Sequence, residues 1–359
     1  MWPDNRLTDL LGIELPIVQA PMAGSGSAEL AIAVAEAGGL GSLPCAMLDA
    51  DGIREQVAAI RQRTDRPVNL NFFCHETPQP DETVEKLWRE RLGHYYAEFD
   101  LDTEAIPQGP SRNPFDAVAC EAVEDLRPAA VSFHFGLPEP ALLDRVKATG
   151  AKVLSSATSA REARWLAGRG CDAIIAQGAE AGGHRGMFIE DSVAAQVGTF
   201  ALVPQIVETV ETPVIAAGGI ADGRTMAAAF ALGASGVQIG TAYLLTPEAD
   251  TGDLHRAALA EASGEETVLT NVFTGRPARG IVNRLVRELG PISPDAPQFP
   301  LAAQALGPLR HAALEAGSSD FTSLWAGQSV GLCREGEGAA DLTRRIAREA
   351  QERLAALSG

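Results

Sequence analysis

Residues 213–219 read PVIAAGG, and residues 236–244 read GVQIGTAYL. Both stretches are short, rich in apolar residues and carry glycine where the apolar run ends, which is typical of buried parallel strands. Six similar runs precede them, at 17–21, 40–44, 68–73, 129–136, 152–158 and 173–178. Helical patterns lie between the runs, at 28–37, 49–62, 139–147, 159–168, 199–210 and 222–232.

This alternation of strands and helices predicts an α/β protein, a (β/α)₈ TIM barrel. Eight parallel strands are the number that closes such a barrel. The alternative is an open, doubly wound sheet. Gly24 and Gly26 supply only half of the G-x-G-x-x-G fingerprint of that fold. We therefore favour the barrel.

Two segments exceed what eight strand and helix units need. Residues 78–115 follow the third strand, and residues 246–335 follow the eighth. Both begin at the carboxyl end of a strand, where barrels build their active sites. We therefore predict a barrel over residues 1–245 that contains the insertion 78–115, and a substrate-binding or lid region over 246–335. Residues 336–359 should form a C-terminal helix that packs on the barrel.

Composition limits the classes of partner. The chain has 359 residues, 46% of them hydrophobic, and a formal net charge of −18. Such an acidic surface repels nucleic acid and anionic membranes, so we expect neither as a partner. Five scattered cysteines without a C-x-x-C pair argue against a disulfide framework, and no residues have metal-ligand spacing. No signal peptide or membrane span is visible, so we expect a cytoplasmic protein, with a homodimer as one option for its assembly.

Glycine-rich loops follow the last two predicted strands. The first carries Gly218 and Gly219, and the second carries Gln238, Ile239, Gly240 and Thr241. Glycine lets backbone N–H groups approach an anion closely, and barrels often bind phosphate between these two loops. The helix start after the first loop would add a favourable dipole. Tight turns alone would also explain the glycines, but two correctly placed loops favour a phosphate site.

The loop after the strand at 173–178 reads QGAEAGGHRG over 177–186. Its four glycines, Gly182 and Gly183 among them, allow the loop to lie flat against a planar ring. Histidine at neutral pH suits a general base or a donor to an oxyanion, so His184 is the catalytic candidate. An exposed histidine without a role is the alternative. Arg185, the next residue, is a candidate for the substrate pocket.

Other strand ends supply further candidates. Three residues end the first strand, where they would expose backbone groups to a ring edge: Ala20, Pro21 and Met22. Asn69 and Asn71 lie in a predicted strand, and their amides need partners from a ligand or from neighbouring backbone. His134 is either a pocket residue or a satisfied core histidine, and we favour the pocket. The remaining histidines have no supporting context and are expected at the surface: His75, His94, His255 and His311.

Four ordered motifs resemble the nitronate monooxygenase family, in the first of its two classes. They are QAPMAG (19–24), AQGAEAGGHRG (176–186), PVIAAGGIADGR (213–224) and GASGVQIGTAYL (233–244), and FTGRPARGIVN (273–283) and SLWAGQ (323–328) extend the match. The resemblance implies an FMN-binding (β/α)₈ barrel in which His184 is catalytic. It also implies that FMN is bound by Asn71, Gln177, Gly182, Gly219 and residues Gln238 to Thr241.

The resemblance further implies an activity, the oxidation of alkyl nitronates such as propionate 3-nitronate by O₂. The nitronate gives one electron to FMN. The flavin semiquinone and the substrate radical then react with O₂ to yield a carbonyl compound and nitrite, and no nicotinamide is required. The residues alone indicate a barrel, a phosphate site, a ring-binding loop and a histidine, but they do not identify nitronates.

One segment departs from the family pattern. Residues 298–310 contain neither tyrosine nor lysine, although the family often has both at the roof of the pocket. A cationic side chain at this position would be needed to bind a substrate that bears a carboxylate. The candidates are Arg185, Arg276, Arg279 and Arg310, and the sequence does not place them.

Three other functions remain open. NAD(P)H:quinone reductases and a flavin-dependent enoyl reductase share the GGH loop, but the enoyl reductase usually has Glu at the position of Gln177 and Ile at that of Arg185. A flavin-free isomerase or lyase of sugar phosphates would need a catalytic Lys or Glu at a strand end, and the three lysines are poorly placed for this. A flavoprotein without turnover is the third alternative.

Overall fold

The computed structural model describes residues 2–103 and 112–358. Its main sheet has eight parallel strands in the order β1-β9-β8-β6-β5-β4-β3-β2. A parallel bridge between Val18 and Leu40 joins the two outer strands, so the sheet closes as the (β/α)₈ prediction required and is not an open sheet. The strands are β1 (Ile17–Gln19), β2 (Gly41–Pro44), β3 (Val68–Phe73), β4 (Ala130–His134), β5 (Lys152–Ala157), β6 (Ala173–Gln177), β8 (Val214–Ala217) and β9 (Gly236–Ile239).

Helices surround the barrel and form its roof. They are α1 (Arg6–Leu11), α2 (Ala28–Glu36), α3 (Ala50–Arg63), α4 (Glu82–Glu98), α5 (Ala117–Leu126), α6 (Pro140–Ala148), α7 (Ala160–Ala167), α8 (Thr199–Val207), α9 (Gly223–Ala231), α10 (Thr241–Leu244), α11 (Asp253–Glu261), α12 (Arg284–Leu289), α13 (Ala302–Glu315) and α14 (Ala339–Ser358). Serine and aspartate set several starting points, because their side chains accept from backbone N–H groups in the first turn. Ser27 accepts from Leu30 N, for example, and Asp49 accepts from Gly52 N.

The strands separate two apolar layers. Side chains alternate along a strand, so Ala173 and Ile175 pack inside the barrel while Ile174 and Ala176 pack against the outer helices. Leu7 of α1 lies in the interior cluster. This double burial explains why the strands read as continuous apolar runs.

A second, three-stranded sheet lies outside the barrel. It pairs β10 (Thr267–Thr270) with β11 (Ala278–Ile281), and β11 with β7 (Gly183–His184), all antiparallel. The strand β7 belongs to the loop after β6, so this sheet ties the barrel loop to residues of the 246–335 segment. The backbone around His184 is therefore held by pairing and is not a free loop.

The two surplus segments pack on each other. Helix α4 of the insertion and helix α13 share a hydrophobic cluster that includes Trp88 and Leu309. The Trp88 indole N–H donates to Ala302 O at 3.2 Å, and the Tyr96 hydroxyl donates to Ala305 O at 2.6 Å. The helix α14 packs against α9 and α2. Among the described residues, no helix combines the length and the apolar character that crossing a membrane requires.

Candidate active site

A cavity of about 690 Å³ opens at the carboxyl ends of the barrel strands, under the second sheet and α13. Most of the residues predicted for the site line it, although they come from the ends of six different barrel strands. They are Ala20, Pro21, Met22, Asn71, His134, Gln177, Gly182, Gly183, His184, Gly218, Gly219, Gln238, Gly240 and Thr241. The barrel thus brings these residues around one space.

Two predicted site residues do not line this cavity. Arg185 is completely buried, and its guanidinium donates to Gly178 O and Gln177 O, both at 2.6 Å, and to Gln196 Oε1 at 2.8 Å. Burial lowers the pKa of Arg185 to about 10. The side chain therefore holds the underside of the loop, and the pocket prediction for it is corrected. Ile239 packs in the outer apolar layer, and only its backbone reaches the site, where its carbonyl accepts from Ala20 N.

The two glycine loops leave backbone donors unpaired. Gly218 and Gly219 have φ values of +101° and +74°, which side chains rarely adopt. The N–H groups of Gly219, Ile220 and Gly240 have no hydrogen-bond acceptor within residues 2–103 and 112–358. These amides can therefore donate to an anion.

The backbone N–H groups at the start of α9 already have an acceptor within the protein. The helix start was predicted to help bind an anion, and the structure does not leave it free to do so. Asp222 caps this helix, and its carboxylate accepts from Arg224 N and Thr225 N at 3.0 Å each. The same carboxylate also pairs with the Arg224 guanidinium. At this end of the cavity the loop amides, and not the helix terminus, are therefore the groups free to donate to an anion.

Side chains of the barrel hold the backbone of His184. Its carbonyl accepts from His134 Nε2 at 3.1 Å and from Gln177 Nε2 at 2.9 Å. The other end of the Gln177 amide accepts from Gly186 N at 2.7 Å, and His134 Nδ1 lies 3.0 Å from Ser156 Oγ. Both ring nitrogens of His134 and both ends of Gln177 are thus used to position the loop. The His134 side chain lines the cavity, and both of its ring nitrogens also have hydrogen-bond partners in the protein.

The His184 ring stands between aromatic rings and one hydroxyl. Its centroid lies 5.2 Å from that of Phe299 and 5.5 Å from that of Trp325, and Nε2 lies 2.9 Å from Thr274 Oγ1. Burial holds the pKa of His184 well below its ordinary value, and nearby groups lower it further: Arg112, His134, Arg276 and His75. His184 is therefore neutral at neutral pH and keeps a lone pair on one ring nitrogen.

The two asparagines of β3 have different surroundings. Asn69 donates to Ser42 Oγ at 3.1 Å and to Ser132 Oγ at 2.8 Å, and it does not line the cavity. Asn71 also donates to Ser132, but its side chain is in the cavity wall. Neighbouring serines therefore accept from the Asn69 NH2 group, whereas its Oδ1 has no partner among the described residues.

Sequence reasoning missed several residues of the site. His75 and His255 were expected at the surface, but His75 is only 7% exposed and His255 lines the cavity, with Nε2 at 3.1 Å from Trp325 O. His75 follows β3 at the catalytic end of the barrel, and that position was an available signal. Thr274 and Trp325 belong to matched motifs but carried no assigned role. His94 and His311 are exposed, as expected.

A loop of the barrel and the roof contact each other through glycine. A Cβ on Gly182 would lie 2.5 Å from Gly327 N, so only glycine fits there. Gly327 N donates to Thr241 Oγ1 at 2.9 Å, and Gln328 N donates to Glu180 O at 2.9 Å. The roof is therefore joined to two barrel loops beside the cavity.

One family model and two known proteins that are similar to this chain carry the name of one activity. A family model described as nitronate monooxygenase matches residues 4–349. A nitronate monooxygenase of Pseudomonas aeruginosa is 41% identical over 351 residues, which cover 96% of this chain and 99% of the relative. A nitronate monooxygenase of Paraburkholderia phytofirmans is 39% identical over 357 residues, which cover 98% and 96%.

Two solved structures are similar to this chain over nearly its whole length. The structure of a nitroalkane oxidase from Streptomyces ansochromogenes matches with a TM-score of 0.88 and 39% identity, covering 98% of this chain and 99% of that one. FabK from Thermotoga maritima is less similar, with a TM-score of 0.75 and 31% identity over 99% of this chain and 98% of its own. The chain therefore belongs to the nitronate monooxygenase family of flavin-dependent oxidoreductases.

Proposed function

We propose that this protein is an FMN-dependent nitronate monooxygenase. It oxidises alkyl nitronates, propionate 3-nitronate among them, with O₂ to a carbonyl compound and nitrite. The observation that carries the proposal is the cavity itself, which has unpaired loop amides around Gly219 and Gly240 at one end and the neutral ring of His184 in its wall. We propose that all the predicted cofactor residues except Ile239 contact FMN with side chain or backbone, and that Ile239 contributes through its backbone alone.

The described residues fit FMN at both of its ends. The N–H groups of Gly219, Ile220 and Gly240 would donate to the phosphate. Gln238 Oε1 is buried in the cavity wall without a partner among the described residues. The pyrimidine edge of a flavin carries an N–H group that can donate a hydrogen bond to this oxygen. An unsatisfied buried acceptor costs about 1–3 kcal/mol, so a ligand that supplies the donor is favoured.

When bound, FMN would supply the electron transfer that side chains alone cannot perform. The protein would position the substrate and set the charge around it. Arg112 and Arg310 line the cavity, and Arg276 lies close enough to lower the pKa of His184. A site that is surrounded by cations favours an anionic nitronate over a neutral nitroalkane.

The visible spectrum tests this proposal. We expect the purified protein to be yellow and, when mixed anaerobically with propionate 3-nitronate, to acquire the spectrum of a one-electron-reduced flavin. NADH and NADPH should leave the spectrum unchanged. Bleaching by either nicotinamide would instead support a reductase on the same barrel, and a colourless protein that binds no added FMN would contradict the cofactor assignment.

Arg310 should recognise a carboxylate on the substrate. It is an exposed residue of α13 that lines the cavity, it forms no ion pair with the described residues, and it lies in the segment that lacks the expected lysine. We expect Arg310→Met to raise KM for propionate 3-nitronate about tenfold, because a hydrogen bond to a charged group contributes about 1.5 kcal/mol. KM for propyl-1-nitronate, which lacks the carboxylate, should stay unchanged.

The neighbouring His311 offers a matched control for this substitution. Its side chain is 79% exposed on the same helix, so His311→Ala should leave both KM values as they are. An equal rise of KM for the two nitronates in Arg310→Met would show that Arg310 supports the structure of the roof and does not bind the carboxylate.

A further inference from the structure

Thr274 is the hydrogen-bond partner of the His184 ring. It lies between β10 and β11, is only 3% exposed, and its Oγ1 is 2.9 Å from His184 Nε2. The same hydroxyl donates to the backbone carbonyl of Arg276 at 3.4 Å. A hydroxyl has one hydrogen and two lone pairs, and a carbonyl can only accept. Both contacts of the Thr274 hydroxyl are therefore satisfied together only when its hydrogen is directed to Arg276 O and Nε2 of His184 donates to Oγ1.

We propose that Thr274 is a positioning residue that fixes His184 in the tautomer with hydrogen on Nε2 and the lone pair of Nδ1 facing the cavity. In this assignment Nδ1 removes the α-proton of a neutral nitroalkane. The C–H bond breaks, an N–H bond forms on Nδ1, and the electron pair moves onto the nitro group to give the nitronate. This proton transfer rests on the proposed function, whereas the tautomer itself does not.

The surroundings of His184 leave Nδ1 as the available nitrogen. It has no hydrogen-bond partner within residues 2–103 and 112–358, and the ring lines the cavity. Phe299 and Trp325 pack against the ring, and His134 and Gln177 hold its backbone carbonyl, so the ring has little freedom to turn over. The choice of tautomer is thus left to the single contact at Nε2.

Burial first, and then the groups that face it, keep the His184 ring neutral, and only a neutral ring has a tautomer to select. Arg112 precedes α5, Arg276 precedes β11, His134 ends β4 and His75 follows β3, and all four lower the pKa of His184. None of the groups that shift its pKa is a carboxylate. Thr274 therefore acts on a neutral imidazole, where a neutral hydroxyl is a sufficient partner.

Nitrogen NMR of protein labelled with ¹⁵N-histidine tests the tautomer directly. The His184 signals are identified by their loss in His184→Asn. We expect protonated Nε2 and unprotonated Nδ1 in the unaltered protein, and a mixture of tautomers in Thr274→Val, which keeps the shape but lacks the hydroxyl. Thr274→Ser should restore the original pattern. Nδ1 protonated in the unaltered protein, or a pattern that Thr274→Val leaves unchanged, would overturn the proposal.

Kinetics of the same variants test the proton transfer. Thr274→Val should lower kcat/KM for neutral nitroethane about tenfold and for preformed ethyl nitronate less than about twofold, with recovery in Thr274→Ser. Thr270→Val, which removes a buried hydroxyl from β10, is the control and should change neither value. Equal losses on both substrates would reject the role of Nδ1 as the base. If neither substrate reacts with the unaltered protein, the proposed function fails, and the NMR result still decides the tautomer.

Discussion

The variant His184→Asn is expected to lower kcat/KM for neutral nitroalkanes by about two to four orders of magnitude, the range that a general base contributes. Asparagine can still donate a hydrogen bond, but it has no nitrogen lone pair that takes up a proton. Preformed nitronates have already lost the α-proton, so their turnover should fall much less. Steady-state kinetics on the same compound in its neutral and anionic forms measures the difference.

The dependence of kcat/KM on pH gives a further expected result for the base role of His184. Burial and the nearby cations lower the pKa of His184 well below its ordinary value, so the ring loses its lone pair only when the pH falls below that lowered pKa. With neutral nitroalkanes, kcat/KM should therefore show no decrease as the pH falls through 6.5, the ordinary pKa of histidine. His94→Asn, at an exposed site, is the control and should behave as the unaltered protein. Equal losses on both substrate forms in His184→Asn would leave His184 a binding role only.

The variant Gly218→Ala is expected to lose most of its bound flavin. The backbone at this position has φ +101°, and an added Cβ would lie 2.8 Å from Ala181 N. Either the loop moves or the residue is strained by about 1–3 kcal/mol, and both displace the amides of Gly219 and Ile220 that we propose hold the phosphate. The ratio of flavin to protein absorbance after gel filtration measures the loss, and added FMN should restore it only partly.

A substitution at a glycine far from the cavity is the control that distinguishes backbone strain from loss of cofactor binding. Gly150 has φ +90° and open space around its Cα, so Gly150→Ala imposes similar backbone strain without touching the site. Both variants should lose thermal stability, but Gly150→Ala should retain its flavin. Full flavin content in Gly218→Ala would place the phosphate elsewhere in the cavity.

The barrel could be predicted from the sequence because its strands are buried on both faces. Each strand then reads as a short apolar run, and Ile174 and Ala176 are as apolar as Ala173 and Ile175 on the opposite face. The glycines indicated the loops for a similar reason, because Gly218 and Gly219 have φ values that other residues rarely adopt. Strong local constraints of this kind are visible in a single sequence.

Arg185 and Ile239, the two predicted site residues whose side chains do not line the cavity, have one feature in common. Neighbouring side chains of an extended chain point to opposite sides. His184 faces the cavity in β7, so Arg185 faces the underside, and Ile239 points away from the site between Gln238 and Gly240. Strict alternation of side chains along these two motifs would have predicted that neither side chain faces the cavity.

Other members of the site could not be predicted because distant segments bring them together. His255 reaches the cavity from α11, and Thr274 reaches His184 across 90 positions of sequence. No local pattern near either residue encodes these contacts. They depend on how residues 246–335 pack over the barrel, which is a property of the folded chain.

The hydrophobic cluster shared by α4 and α13 has a consequence for biosynthesis. The Trp88 indole finds its acceptor, Ala302 O, 214 positions later in the chain. A ribosome that synthesises this protein therefore releases the aromatic face of α4 long before its cover exists. All eight barrel strands have been synthesised by the end of that interval, before α13 can cover this face. The cavity wall is likewise complete only after the segments that contribute Arg310 and Trp325 have been synthesised.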